Sequence, residues 1–122
     1  MQGKKIFVAD DDRDIVMILK RYLELDGYSV DCSFNGNEAM EKVTGSKFDL
    51  LILDVMMQGI NGWEICKRVK TDPQTREIPV IILSAKSQDT DALMSFKCGA
   101  DQYVVKPFDY NELSIIIKRL IQ

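Results

Sequence analysis

A chain of 122 residues that is 46% apolar and 29% charged is long enough for one domain with a real hydrophobic core and lies far from the composition of disorder. Its formal charge of -3 and pI near 4.9 argue against a general nucleic-acid or anionic-membrane surface, which needs a basic excess. With no histidine in the chain, Ser-His catalysis, histidine base chemistry and phosphohistidine are excluded, so any chemistry must run on carboxylates, hydroxyls and lysine.

Five short apolar runs read as strands: Ile6 to Ala9, Tyr28 to Cys32, Leu50 to Leu53, Val80 to Leu83, and Tyr103 to Val105. Amphipathic stretches separate them. In the first, Ile15 to Leu25, the residues Ile15, Ile18, Leu19, Tyr22 and Leu23 recur at three- and four-residue spacing, which predicts a helix packed by that face. Further helices are predicted at about Asn37 to Thr44, Gly62 to Lys70, Asp89 to Cys98, and Asp109 to Ile121, the last with Leu113, Ile116, Ile117 and Leu120 inward. Gly27, Gly36, Gly45, Asp72-Pro73, Pro79, Gly99 and Pro107 punctuate the gaps. Strand and helix alternate five times over residues 1–122, which predicts a single α/β domain with a parallel sheet covered by helices on both faces. The unbroken runs at Leu50 and Val80 fit central strands buried on both sides.

Cys32, Cys66 and Cys98 are odd in number and widely spaced, so neither a disulfide framework nor a zinc site is indicated. Reduced thiols are expected. No apolar run reaches the roughly 20 residues that span a bilayer, and the first residues lack the pattern of a signal peptide. A cytoplasmic protein with no membrane partner is expected.

In open parallel sheets the working groups lie just beyond the carboxyl ends of the strands. Strand one runs into Asp10, Asp11 and Asp12, strand three into Asp54, strand four into Ser84 and strand five into Lys106. Strand two leads into Ser33-Phe34-Asn35 with no obvious reactive group, as suits an edge strand. Carboxylates converging on one crevice repel one another and resist ionisation unless a cation compensates. Oxygen ligands favour a hard ion such as Mg2+, which uses one or two carboxylates and keeps several waters. Asp10, Asp11 and Asp54 fit that description, whereas Asp12 fits better as a helix cap. Asp54, after four apolar residues, can attack a phosphoryl donor and become an aspartyl phosphate. Lys106 would neutralise charge on the phosphoryl oxygens, and Ser84 would donate a hydrogen bond to one of them.

These residues carry a resemblance over essentially the full length. Ile6-Phe7-Val8-Ala9-Asp10-Asp11-Asp12, Leu53-Asp54-Val55-Met56-Met57, Ser84-Ala85 and Val104-Val105-Lys106-Pro107-Phe108 resemble the receiver domain of two-component response regulators, the CheY-like family. Each signature is weak alone, but their order and spacing are specific. The resemblance implies a flavodoxin-like, doubly wound five-stranded parallel sheet of order 2-1-3-4-5. It implies Asp10 and Asp11 as the acidic metal pair, Asp54 as phosphoacceptor, and the Met56 backbone carbonyl as a further ligand to Mg2+ (or Mn2+). Ser84 matches the switch hydroxyl, Lys106 the family lysine, and Tyr103 the aromatic that changes rotamer with the hydroxyl. A cis Lys106-Pro107 bond is implied, as are influences of Met56 and Lys86 on the lifetime of the phosphoryl group.

The expected function is therefore a phosphorylation-activated switch, not an enzyme turning over an external metabolite. A sensor histidine kinase or phosphotransfer protein would supply the phosphoryl group to Asp54. The helix 4, strand 5, helix 5 face would then control a downstream protein or effector domain, the chain acting as a monomer or a phosphorylation-dependent homodimer. Met94 and Ile115, off the simplest core stripes, are candidates for that face. Two positions depart from the family pattern, Gln58 where proline is usual and Asn61 where aspartate is usual. A receiver-like binding module without phosphorylation is the main rival, and it would be expected to have lost one of Asp10, Asp11, Asp54 and Lys106. An FMN binder would need phosphate donors where the acidic triplet stands. A haloacid-dehalogenase-type phosphatase would carry Asp-x-Asp after its first strand, and Met56 holds the second position after Asp54.

Overall fold

Apolar residues in each central strand alternate between two helical layers, and this sorts the whole core. The computed structural model describes residues 3–85 and 89–121. Its elements are β1 (Lys5–Ala9), α1 (Arg13–Leu25), β2 (Ser29–Ser33), α2 (Gly36–Gly45), β3 (Leu50–Asp54), α3 (Gly62–Thr71), β4 (Val80–Ser84), α4 (Asp89–Lys97), β5 (Gln102–Val105) and α5 (Tyr110–Leu120). The strands pair in parallel in the order β2-β1-β3-β4-β5, the doubly wound arrangement expected from the sequence.

Phe7, Leu51, Leu53, Val80 and Ile82 pack with Val43 of α2 and with Ile65, Cys66 and Val69 of α3. Their neighbours Ile6, Val8, Leu50, Ile52, Ile81 and Leu83 pack on the other face with Val16, Leu19 and Leu23 of α1 and Leu113 and Ile117 of α5. Period-two alternation with both faces covered explains why β3 and β4 are buried at every residue and read as unbroken apolar runs. Each fully buried Leu or Ile contributes roughly 1.5–3 kcal/mol relative to exposure.

The first helix differs from its predicted stripe. Val16, Leu19 and Leu23 are buried, whereas Ile18 is 53% exposed and Tyr22 47% exposed. Both inward and flanking positions are apolar, so spacing alone placed the stripe a fraction of a turn away. Tyr22 instead stacks on Tyr110 at 4.8 Å between ring centroids. The second strand also starts one residue later than predicted, because the Tyr28 amide donates to the Leu23 carbonyl and finishes the α1 terminus. In α5, Leu113 and Ile117 are buried and Ile116 and Leu120 pack at the margin of the same cluster, as predicted.

The helix starts are capped by short polar side chains. Asp12 accepts from the amides of Asp14 and Ile15, Asn35 from Glu38, Asn61 from Glu64 and Asp109 from Asn111, each satisfying otherwise orphaned donors. Asp12 is thus the cap its position predicted.

Candidate functional site

Parallel pairing delivers the carboxyl ends of β1, β3, β4 and β5 to one edge of the sheet, and the polar residues collect there. Asp10 follows β1, with its amide held by the Ser33 carbonyl at 3.2 Å. Asp54 is the last residue of β3 and Ser84 the last of β4. Lys106 follows β5, its amide donating to the Ser84 carbonyl at 2.7 Å, and the Lys106-Pro107 peptide is cis.

Asp10 is 0% exposed, Asp54 4% and Ser84 2%, while Asp11 faces solvent. The Lys106 ammonium lies 3.0 Å from Asp10 Oδ2 and 3.1 Å from Asp54 Oδ1. The other Asp10 oxygen accepts the Asp12 amide at 2.9 Å, so Asp10 is oriented from both sides. Carboxylate oxygens of Asp10, Asp11 and Asp54 come within 4.8 Å of one another. Three acids thus cluster, two of them sharing one lysine. Burial, reinforced by the Asp10 charge and opposed by Lys106, pushes the Asp54 carboxyl up to about 6. Burial works to lower the Lys106 ammonium, but its hydrogen bond to Asp10 and the two nearby acids outweigh this and raise it.

An all-oxygen donor set with surplus negative charge is the chemistry of a hard divalent cation. The residues present fit one.

The loop after Asp54 folds back on the site. Gly62 opens α3 with its amide on the Val55 carbonyl, and a Cβ there would collide with the Asp54 carbonyl. Absence of a side chain is therefore what lets α3 start against the end of β3. The Gln58 carbonyl accepts the Gly36 amide at 2.8 Å, a role open to proline as well. Asn61 caps α3 as an aspartate would. The two departures from the family pattern leave these contacts intact. The Met56 side chain is 74% exposed beside the site. Tyr103, paired in register with Ile82, is half-buried against the cluster on the α2 and α3 side. Lys86 lies outside the described residues.

One feature of the site was not visible in sequence. A groove of about 510 Å3 adjoins the crevice, lined by Asp12, Ile15, Ile18, Lys106, Pro107 and Phe108. These residues come from opposite ends of the chain, and no local pattern joins them. Exposed apolar side chains also differ from expectation. Ile115 is exposed as predicted, and Leu93 and the 81% exposed Phe96 are exposed as well. Met94 lines a groove between α3 and α4 with Trp63 and Lys67. Among the described residues no helix is long and apolar enough to cross a membrane.

The response regulator receiver domain pattern matches residues 6–118. The transcriptional regulatory protein ResD of Bacillus subtilis is 37% identical over 118 residues, covering 97% of this chain and 48% of ResD. The chain spans about half the length of the curated relatives it matches. Among solved structures, the Francisella response regulator 1452 receiver domain superposes with a TM-score of 0.90 at 33% identity, covering 98% of this chain and 97% of that one. The response regulator TrrA of Thermotoga maritima, in complex with Mg(2+)-BeF, gives 0.85 at 38% identity over 96% and 98% of the two chains. With its sheet order, strand-end acids and sequence all agreeing, the chain belongs to the response regulator receiver domain family of two-component, phosphorylation-dependent signalling.

Proposed function

We propose that Asp54 is the phosphoacceptor of this receiver and that Asp10, Asp11, Ser84 and Lys106 serve the transfer. The observation that carries the reading is the surplus of acid over base at the strand ends: buried Asp10 and Asp54 share one lysine, and the exposed Asp11 carboxylate lies within 4.8 Å of theirs. A purely structural cluster would balance its charge.

An Asp54 carboxylate oxygen attacks the phosphorus of a phosphohistidine on a sensor kinase or phosphotransfer protein. The P–N bond breaks and the imidazole leaves. Asp10, Asp11 and Asp54, with the Met56 carbonyl, would hold Mg2+ or Mn2+, which when bound neutralises the clustered acids and draws charge from the phosphoryl oxygens. Lys106, already 3.1 Å from Asp54 Oδ1, moves its hydrogen bond to a phosphoryl oxygen. Ser84 donates to another. The apolar groove between α1 and the β5–α5 turn borders Lys106 and is a seat for the phosphodonor protein.

Ser84 stands in register with Val105, two residues from Tyr103 on β5. A shift of Ser84 toward the phosphoryl group changes the packing around Tyr103 and so the α4–β5–α5 face, where Leu93, Phe96 and Ile115 are exposed. That face would contact a downstream protein, an effector domain or a second copy of the chain.

The test incubates the protein with acetyl phosphate, with and without Mg2+, and follows intact mass. One phosphoryl adduct is expected, dependent on Mg2+ and lost in Asp54→Asn. Absence of such an adduct would reject the phosphoacceptor in favour of a binding module that works without phosphorylation.

A further inference from the structure

Two of the three cysteines meet although 32 positions separate them in the chain. Cys66 lies inside α3 and is fully buried; Cys98 follows α4 and is 7% exposed. The two residues touch, with Cys66 Sγ 3.4 Å from the Cys98 carbonyl. Cys98 Sγ is 3.1 Å from the Ser95 carbonyl, while the Ser95 hydroxyl accepts the Trp63 indole N–H at 3.1 Å. The last turn of α4 is therefore laid against α3 by sulfur and indole contacts together. Cys98 lines the groove of about 310 Å3 between the two helices, with Trp63 and Met94, and is the less buried of the pair. Cys32 on β2 is half-exposed and belongs to the cluster on the opposite face of the sheet.

The two thiols are chemically unlike. An interaction with Cys66, opposed by burial and helped by backbone amides, lowers the Cys98 thiol from its ordinary value, and the same interaction together with burial raises Cys66. Two cysteines in contact, one of them lining a groove, are placed to pass between thiols and a disulfide.

We propose that Cys66 and Cys98 form a reversible disulfide on exposure to a peroxide, tying the end of α4 to α3. The Cys98 thiolate attacks one oxygen of hydrogen peroxide; the O–O bond breaks, and hydroxide leaves and is protonated to water. The product is a Cys98 sulfenic acid. Cys66 sulfur then attacks the Cys98 sulfur, an S–S bond forms, the S–O bond breaks, and the departing hydroxide takes the Cys66 proton as a second water. Two electrons pass from the sulfurs to the peroxide. A bridge here would restrain α4, the element through which the phosphoryl signal leaves, and this consequence rests on the proposed switch.

The bridge is tested without phosphorylation, so its outcome is separate from that of Asp54. The intact chain is treated with hydrogen peroxide, its free thiols are titrated, and its peptides are mapped. The titre is expected to fall from three thiols to one, with Cys32 the survivor, and to return on dithiothreitol. Cys32→Ser should still lose both remaining thiols, whereas Cys66→Ala and Cys98→Ala should form no intramolecular bridge. In the oxidised protein, amide exchange over the last turn of α4 should slow. The proposal is overturned if oxidation settles on Cys32, if Cys98 passes to sulfinic acid with Cys66 still alkylatable, or if the bridge forms and exchange in α4 is unchanged.

Discussion

At the entrance of β4, Lys70 meets Asp101; at its exit, Lys106 meets Asp10 and Asp54. At the entrance the ammonium lies 2.9 Å from Asp101 Oδ2 and donates to the carbonyls of Ile78 and Arg76 at 2.7 and 3.3 Å. The same Asp101 oxygen accepts the Val80 amide at 2.8 Å. One base meets one acid, and all three ammonium donors have acceptors. At the exit one base pairs with two buried acids, and a third, exposed, carboxylate lies within 4.8 Å of them. Five residues of a single strand thus separate a neutral, saturated cluster from a charged, unsaturated one. The difference sets the proposed site apart: a balanced cluster fixes the helix and strand ends it touches, whereas an unbalanced buried one is suited to a charged ligand.

Replacement of an acid at each end gives the sharpest contrast. Asp54→Asn is expected to abolish the phosphoryl adduct formed with acetyl phosphate and Mg2+, while Asp101→Asn retains it in full, both read by intact mass. An adduct in Asp54→Asn, or its loss in Asp101→Asn, would erase the functional distinction between the ends. Next in size is the response to the ion itself. A ligand at a hundred times its dissociation constant stabilises the folded state by about 2.7 kcal/mol, so saturating Mg2+ should raise the thermal midpoint by several degrees. Asp10→Asn should remove most of that rise and Asp101→Asn none, measured by calorimetry with and without chelator.

The sheet and the exit cluster were legible in sequence because each has a local signature. Burial on both faces makes Leu50 to Leu53 and Val80 to Leu83 unbroken apolar runs, and the strand-end rule then turns Asp10, Asp54, Ser84 and Lys106 into neighbours without any contact information. The entrance cluster has no such signature. Lys70 ends a helix and Asp101 precedes a strand, and each reads as an ordinary surface charge until β4 and β5 are paired. Cys66 and Cys98 were hidden in the same way, as was the groove joining Ile18 to Phe108. The stripe of α1 was misplaced because Ile15, Val16, Ile18 and Leu19 leave too wide an apolar arc for periodicity to centre. The Asn61 cap is a side-chain role that its residue type allows, whereas Gln58 acts through its backbone carbonyl, which no residue type announces.

Protonation probes the imbalance in the metal-free protein. The Asp54 carboxyl sits at about 6 in the folded state against an ordinary 3.8. Between these values the folded protein holds a proton that the unfolded chain has released, so stability falls as pH rises through the window and the loss is complete above about pH 6. The size is on the order of 2 kcal/mol. Denaturant titrations in chelator at pH 4 and pH 7 should show this decline, and Asp54→Asn should flatten it. Asp101 supplies the contrast: Asp101→Asn should leave the slope in place. A slope that survives Asp54→Asn would assign the crowding to another acid.

The smallest effect belongs to Lys70. Its ammonium is largely shielded but Asp101 is more than a third exposed, so solvent screens the pair and the ionic part contributes little. What Lys70→Met removes is chiefly the donors to the Ile78 and Arg76 carbonyls, which water can reach and partly replace. A destabilisation of about 1 kcal/mol is expected from denaturant midpoints, nearly independent of pH between 5 and 8 and of Mg2+, with adduct formation at Asp54 intact. Lys106→Met offers the reverse pattern, because removing the one base shared by Asp10 and Asp54 leaves two buried carboxylates facing each other. Its effect on stability should therefore grow with pH and shrink when Mg2+ is added. If both lysine variants responded alike to pH and to Mg2+, the two ends of β4 would not differ in kind, and charge surplus would lose its value as the marker of the site.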